Sequence, residues 1–438
     1  MKGSRGKRVR VAAWTIAVGI LLVLVEVPGE ETFSKQKQKQ KQKQKQIRSR
    51  ERVRVELTDG TTIEGQRIEL GRGVVVLDSR RLKTERIVRW DRIVEKPETG
   101  PRPPATGDLV LLVGGDRLSC KVQSIDLEHL VAGWDGLGRP GVFRIPLERI
   151  RAVLFGSGVP DRLRRRLKSG GKVRSGDELW LRGGDRLVGE LKSLGSEAVV
   201  LATEAGNRRV ARKSVAALLV NPELQVKARR RTRHVRVAFA DGSRLTSAWP
   251  TSQRDGLIGL VLSGIGSNTD ESARVEALSN TIRSVQYFGV GMLRLTRLKP
   301  TRVVHTPFLG AVRAPVVDGS IGGGPLEVAG LWSANGLGMT SRTRMTWDLD
   351  GLHRFFCARV AIDDTAGGGG DVVFGVLLDG RSVWSSGPVR GQERLRAVGP
   401  LDLSGARTLT LVVDYGRRAD VKDHAVWLDP RLVKEQAE

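Results

Sequence analysis

Four segments of the chain can be laid beneath one another. VRVELTDGTTIEG (53–65), DLVLLVGGDRLSC (108–120), DELWLRGGDRLVG (177–189) and VRVAFADGSRLTS (235–247) share alternating apolar positions and a glycine at the turn (Gly60, Gly115, Gly184, Gly242). An aliphatic residue follows three positions later (Ile63, Leu118, Leu187, Leu245). An apolar period of two puts one face of a strand in a core, and the glycine supplies the positive φ of a tight hairpin turn. Further short apolar runs follow, such as GVVVLD (73–78) and AVVLA (198–202), and the first three units close with RIVRWDRIVE, FRIPLERIRAVLF and RVARKSVAALLV. Five short strands in about 50 to 65 residues make a small closed barrel, which hides its sheet edges.

The predicted repeats span 52–96, 107–156, 176–222 and 234–289, and they resemble the SH3/Sm-type small barrels only generically. Cys120 occupies the slot held by Gly65, Gly189 and Ser247, and so reads as a small packed residue. The chain has only one other cysteine, Cys357, and no CxxC or zinc-spaced Cys/His set. GLGRPG (136–141) matches GxGxxG, but Pro140 interrupts it and a strand follows where a dinucleotide site needs a helix.

The N-terminus sets a compartment. MKGSRGKRVR precedes the uncharged run VAAWTIAVGILLVLV (11–25), so residues 1–27 read as an apolar helix serving as signal peptide or membrane anchor. Either places the rest outside the cytoplasm. Residues 28–51, dominated by Lys-Gln alternation, cannot bury a core and read as a solvated tether. The formal net charge is +26, with clusters in RLRRRLK (162–168) and KARRRTR (227–233). Such an excess suits an acidic partner, but no basic run is interleaved with aromatics, so the stacking that holds single-stranded nucleic acid is missing.

From about residue 291 the pattern changes to strands spaced for an antiparallel β-sandwich. The whole described fold class is therefore all-β: tandem small barrels, then a sandwich, behind one N-terminal apolar helix. The sandwich region carries, in order, NGLGMTS (335–341), RMTWDLDG (344–351), RFFCARVAIDD (354–364), GDVVFGVLLDGRSVWSSG (370–387), LTLVVDYG (409–416) and DHAVWLDPRL (423–432). In this, residues 291–438 resemble the NPCBM carbohydrate-binding module, related to carbohydrate-binding module family 51. The sequence departs from that family at Asn335, where lysine is usual, and at Val426-Trp427, where Asp-Trp is usual.

Within the sandwich, VAIDDTAGGGGDVVFGVLLDG (360–380) reads as two strands joined by a glycine loop. No helix follows to receive a phosphate, and neighbouring carboxylates at a strand end point apart, which does not suit acid/base work. A structural calcium ion held by Asp363, Asp364 and Asp371 is the alternative to a plain polar loop.

The resemblance implies glycan binding, which needs an aromatic face for sugar C–H groups and polar side chains for hydroxyls. Trp332, Trp384 and Trp427 are the aromatic candidates, with Trp427 read as core and Trp384 as the more exposed. Asn335, Asp423 and His424 are the polar ones. There is no HExxH or GxSxG, and the five histidines are scattered, so no enzyme is predicted. The expectation is a non-catalytic exported or membrane-anchored protein that binds a glycan or cell-envelope polysaccharide and needs no cofactor. The alternatives are an envelope scaffold that docks proteins and a basic polyanion binder.

Overall fold

The computed structural model describes residues 52–435 apart from 72, 94–106, 164–166, 168–175, 228–231, 253–255, 268–269, 290, 309–311 and 418. The predicted export segment and Lys-Gln tether lie outside the described residues. Among the described residues no helix is long and apolar enough to cross a membrane.

Each repeat builds its hairpin as its sequence dictates. The turn glycines have φ of 87°, 84°, 94° and 91° for Gly60, Gly115, Gly184 and Gly242. Each donates its N–H to the carbonyl three residues back, on Leu57, Leu112, Leu181 and Phe239, at 3.0–3.1 Å. The first strands (Arg52–Leu57, Asp108–Leu112, Asp177–Leu181, His234–Phe239) pair with the second strand on one side and the last on the other. A single 3-10 turn precedes every last strand, at Thr84–Arg86, Leu147–Arg149, Arg212–Ser214 and Ser279–Thr281. The aliphatic residues at the alternating positions meet in the middle. Val55 lies opposite Ile63 and Trp90, Val110 opposite Leu118 and Val153, Leu179 opposite Leu187 and Leu218, and Val237 opposite Leu245 and Val285.

The four repeats do not hang from linkers as separate beads. The last strand Ile87–Ile93 of the first pairs with Ile282–Phe288 of the fourth, with Trp90 opposite Val285. In the same way Ile150–Leu154 of the second pairs with Val215–Leu219 of the third, with Val153 opposite Leu218. A third seam joins the second and fourth repeats through Arg117 and Arg244, each two residues after its turn glycine. The spatial order is therefore first, fourth, second, third. The pairings of the first with the fourth and of the second with the third repeat bring equivalent residues of the last strands face to face, the mark of a local twofold, and one continuous apolar core runs through all four.

The C-terminal region is a two-sheet antiparallel sandwich. One sheet runs Val316–Val317, Gly336–Met339, Ala425–Val433, Phe355–Ile362, Arg396–Asp402, with Met292–Arg294 also pairing to Ala425–Val433. The other runs Arg302–His305, Thr343–Asp348, Thr408–Tyr415, Asp371–Leu378, Arg381–Arg390. Met345, Trp347, Phe356, Phe374, Leu411 and Trp427 fill the space between them. Trp427 is fully buried and meets Phe374 edge-on at 5.4 Å, as its reading as core predicts.

Cys120 and Cys357 are both free and buried. Burial pushes their thiols up to about 12 and about 11 respectively, so both stay protonated and unreactive.

Candidate functional site

The sandwich collects most of the predicted site residues into two places and leaves Trp384 apart on an edge strand. Asp363, Asp364, Asp371, Asp423 and His424 gather at one end, where loops 306–308, 340–342, 363–370 and 416–424 are tied together. Thr306 N–H donates to the Arg342 carbonyl (3.0 Å), Ser341 Oγ to Asp423 (2.5 Å), Asp371 N–H to Asp423 (3.0 Å) and Asp363 N–H to the His424 carbonyl (2.8 Å).

The strand Phe355–Ile362 ends at Asp363, whose carboxylate caps the short helix Asp364–Ala366. That carboxylate accepts from Thr365 N–H (2.9 Å), Thr365 Oγ1 (2.6 Å), Ser320 Oγ (2.8 Å) and Glu327 N–H (2.9 Å). Asp364 turns away and accepts from Ala329 and Gly330 N–H, both at 2.8 Å. Its pKa is raised by burial, an effect these two donors oppose. Asp371 faces Arg390 at 3.4 Å. Asp363 and Asp364 direct their carboxylates to different N–H and O–H donors, and among the described residues no group of three or more His, Cys, Asp and Glu is placed to hold a metal ion. Asp363 and Asp364 tie the loop to residues 320–330.

Gly370 of this loop and Gly391 beside it are set by packing. A Cβ on Gly370 would stand 2.7 Å from the Lys422 carbonyl oxygen, and one on Gly391 would stand 2.2 Å from that of Gly369. The glycine loop is held tightly against Lys422.

His424 is half-buried, and its Nδ1 lies 2.9 Å from Thr365 Oγ1. Because the Thr365 hydroxyl gives its proton to Asp363, His424 Nδ1 must be the donor, which assigns the tautomer and leaves Nε2 as an acceptor. Burial lowers its pKa against the pull of Asp363, so it is neutral at pH 7. With this direction of donation His424 does not serve as a base toward Thr365. Asp423 is buried, and burial pushes its pKa up to about 6.

Trp332 and Asn335 go elsewhere. Both are buried where the hairpin Leu326–Val328/Leu331–Ser333 meets the repeats. The Trp332 ring lies under the guanidinium groups of Arg236 (5.4 Å) and Arg244 (4.9 Å), and its carbonyl accepts from Arg89 (3.2 Å) and Gln286 (3.1 Å). The Asn335 amide donates to Asp318 at 2.9 Å and to Thr296. Trp332 thus packs against the repeats, whereas the Asn335 amide is bonded within the sandwich. Beside them lies a buried ionic cluster. Asp429 faces Arg359 (3.2 Å), Arg294 (3.5 Å) and Arg89 (3.8 Å), while Glu56 of the first repeat faces Arg431 (2.9 Å) and Arg359 (3.1 Å). Burial alone would raise the Asp429 pKa, but the surrounding arginines hold it below the usual range.

Trp384 is half-buried on the edge strand Arg381–Arg390, with its ring 6.3 Å from Trp427. Sequence reasoning missed an aromatic pair at the loop end. Phe308 is 57% exposed and meets the Tyr415 ring at 5.7 Å, Tyr415 Oη donates to the Thr306 carbonyl (3.1 Å), and Arg342 lies over the same ring at 5.5 Å. The only signal was an aromatic after His-Thr-Pro in a loop (305–308).

Residues 295–433 match the family model described as the NPCBM/NEW2 domain, so the sandwich is a domain of that family. Among solved structures, the chain is similar to a CBM51 module of a Clostridium perfringens GH95 protein in complex with methyl-galactose. That likeness has 23% identity, covers 32% of this chain and 99% of the other, and has a TM-score of 0.30. It is also similar to the second CBM51 module, with adjoining domains, of Clostridium perfringens ZmpB in complex with GlcNAc, at 19% identity and a TM-score of 0.30, covering 40% of this chain and 37% of that one. A third likeness is to the tandem CBM51 modules of a family 98 glycoside hydrolase from Streptococcus pneumoniae, at 12% identity and a TM-score of 0.28, covering 75% of this chain and 88% of that one. No curated protein sequence matches the chain significantly.

Proposed function

We propose that this is a non-catalytic protein acting outside the cytoplasm, whose sandwich binds a glycan at the loop end that carries Phe308, Tyr415, Arg342 and His424. The family match over residues 295–433 carries this reading. The chemistry of the loop end supports it: an exposed aromatic face for C–H groups, a neutral imidazole acceptor and a guanidinium for hydroxyls. The basic, apolar N-terminal run supports export or anchoring. Trp384 is a second candidate platform on the adjacent edge strand.

The test is a glycan array with the full chain at low and high salt, with methyl-galactoside and GlcNAc as the first sugars because similar modules are solved with them. Binding to a defined sugar that survives salt and is lost in Phe308→Ala and His424→Ala is the expected result. Loss in Trp384→Ala alone would move the platform to the edge strand, and no binding to any glycan would overturn the reading.

A further inference from the structure

The strand before each 3-10 turn offers the same position in all four repeats. Counting back from the start of each last strand, the equivalent residues are Arg80, Phe143, Arg208 and Val275. The registers agree: they lie opposite Leu77, Ala132, Leu201 and Leu260, all of them buried. In the second and fourth repeats, which sit inside the array, the position is apolar and packed. Phe143 is buried with its ring 5.5 Å from Trp134, and Val275 packs on the core.

In the first and third repeats, at the two ends of the array, the position is arginine and the next residue is arginine as well. The pairs are Arg80-Arg81 on Arg80–Lys83 and Arg208-Arg209 on Gly206–Ala211. Both strands are edges among the described residues, since each pairs with one neighbour only. All four arginines are exposed. None has an ion-pair or hydrogen-bond partner among the described residues, although most other exposed arginines of the repeats, such as Arg54, Arg67 and Arg86, do. Lys83 and Lys213 extend the two patches.

We propose that these two equivalent arginine edges form a bivalent site for an acidic polysaccharide. Consecutive strand residues point to opposite faces, so each edge presents one guanidinium on either face of its sheet, suited to carboxylates spaced along a linear chain that follows the edge. No aromatic residue lies on either strand to stack a base, which favours a uronic-acid chain over single-stranded nucleic acid. The site is separate from the sandwich loops, so either can fail without the other.

The experiment measures binding of the full chain to polygalacturonate, with dextran, a single-stranded oligothymidylate and phosphatidylglycerol vesicles as comparisons, across a salt series. Arg80→Gln/Arg81→Gln and Arg208→Gln/Arg209→Gln are made singly as pairs and together, with circular dichroism to confirm folding. The expected result is wild-type binding to polygalacturonate that weakens with salt. The fourfold variant should lose about tenfold or more in affinity with a shallower salt slope, and each pair alone should lose less. Because the basic N-terminal segment is common to all variants, the difference isolates the edges. Unchanged affinity in the fourfold variant would overturn the proposal and leave the arginines as guards against edge-to-edge association. Equal or tighter binding to the oligothymidylate or the vesicles, or no polygalacturonate binding, would overturn it too.

Discussion

Asp429 and Trp332 show how much a residue's meaning depends on what lies across a seam. Asp429 sits fully buried among Arg89, Arg294 and Arg359, and removing one partner from such a cluster leaves charges uncompensated. Asp429→Ala should cost about 3–5 kcal/mol in urea unfolding. Trp332→Ala should cost a similar amount, about 3–5 kcal/mol, while leaving sugar affinity per folded molecule unchanged; a selective loss of sugar binding would return Trp332 to the site. Asp423 makes a prediction in pH. Its folded pKa of about 6 lies above the ordinary carboxyl value of ~3.9, so its favourable contribution is full below about pH 4 and is lost as pH rises through about 6. Melting temperature should therefore show a falling component between those limits that is absent in Asp423→Asn.

At the level of the element, the hairpin turn is the most repeated device in the molecule. Gly184 has φ of +94° and open space where a Cβ would stand, so Gly184→Ala isolates the backbone cost without a clash. A loss of about 1–2 kcal/mol is expected from the left-handed conformation, read as a shift in denaturation midpoint with unchanged slope. The loop from Asp363 to Gly370 is a contrasting element. Its strands and loop were legible in 360–380, but its tight packing was not, because the contacts that crowd its glycines come from Lys422 and Gln392, residues remote in sequence.

For the whole molecule, the seams between repeats and sandwich predict cooperative behaviour. Arg431 donates to the Leu57 and Thr58 carbonyls at 3.2 and 3.1 Å as well as facing Glu56, so the sandwich borrows acceptors from the first repeat. A fragment of residues 291–438 would leave Arg359 and Arg431 without Glu56. It should melt well below the full chain or fail to remain soluble, whereas the full chain should show one calorimetric transition; two separate transitions would mean that the seam carries little energy. Sugar-binding measurements accordingly belong on the intact protein.

The sequence by itself determined the local structure. Alternation and turn glycines specify hairpins through φ and pleat, four similar segments specify four similar units, and the ordered motifs from 335 to 432 specify the sandwich and its family. Trp427 could be read as core from its strand, and Asp363 and Asp364 could be read as diverging, although they do so because one caps and the other begins a short helix. Only the tertiary structure decided which unit pairs with which, because an apolar last strand satisfies any equivalent partner and the sequence does not rank them. Tertiary structure likewise sent Trp332 into a buried seam with Arg236 and Arg244, buried Asn335 against Asp318, left Phe308 exposed, and placed unpaired arginines on the two end repeats. Burial and charge pairing depend on residues hundreds of positions away, so neither is written in the local pattern.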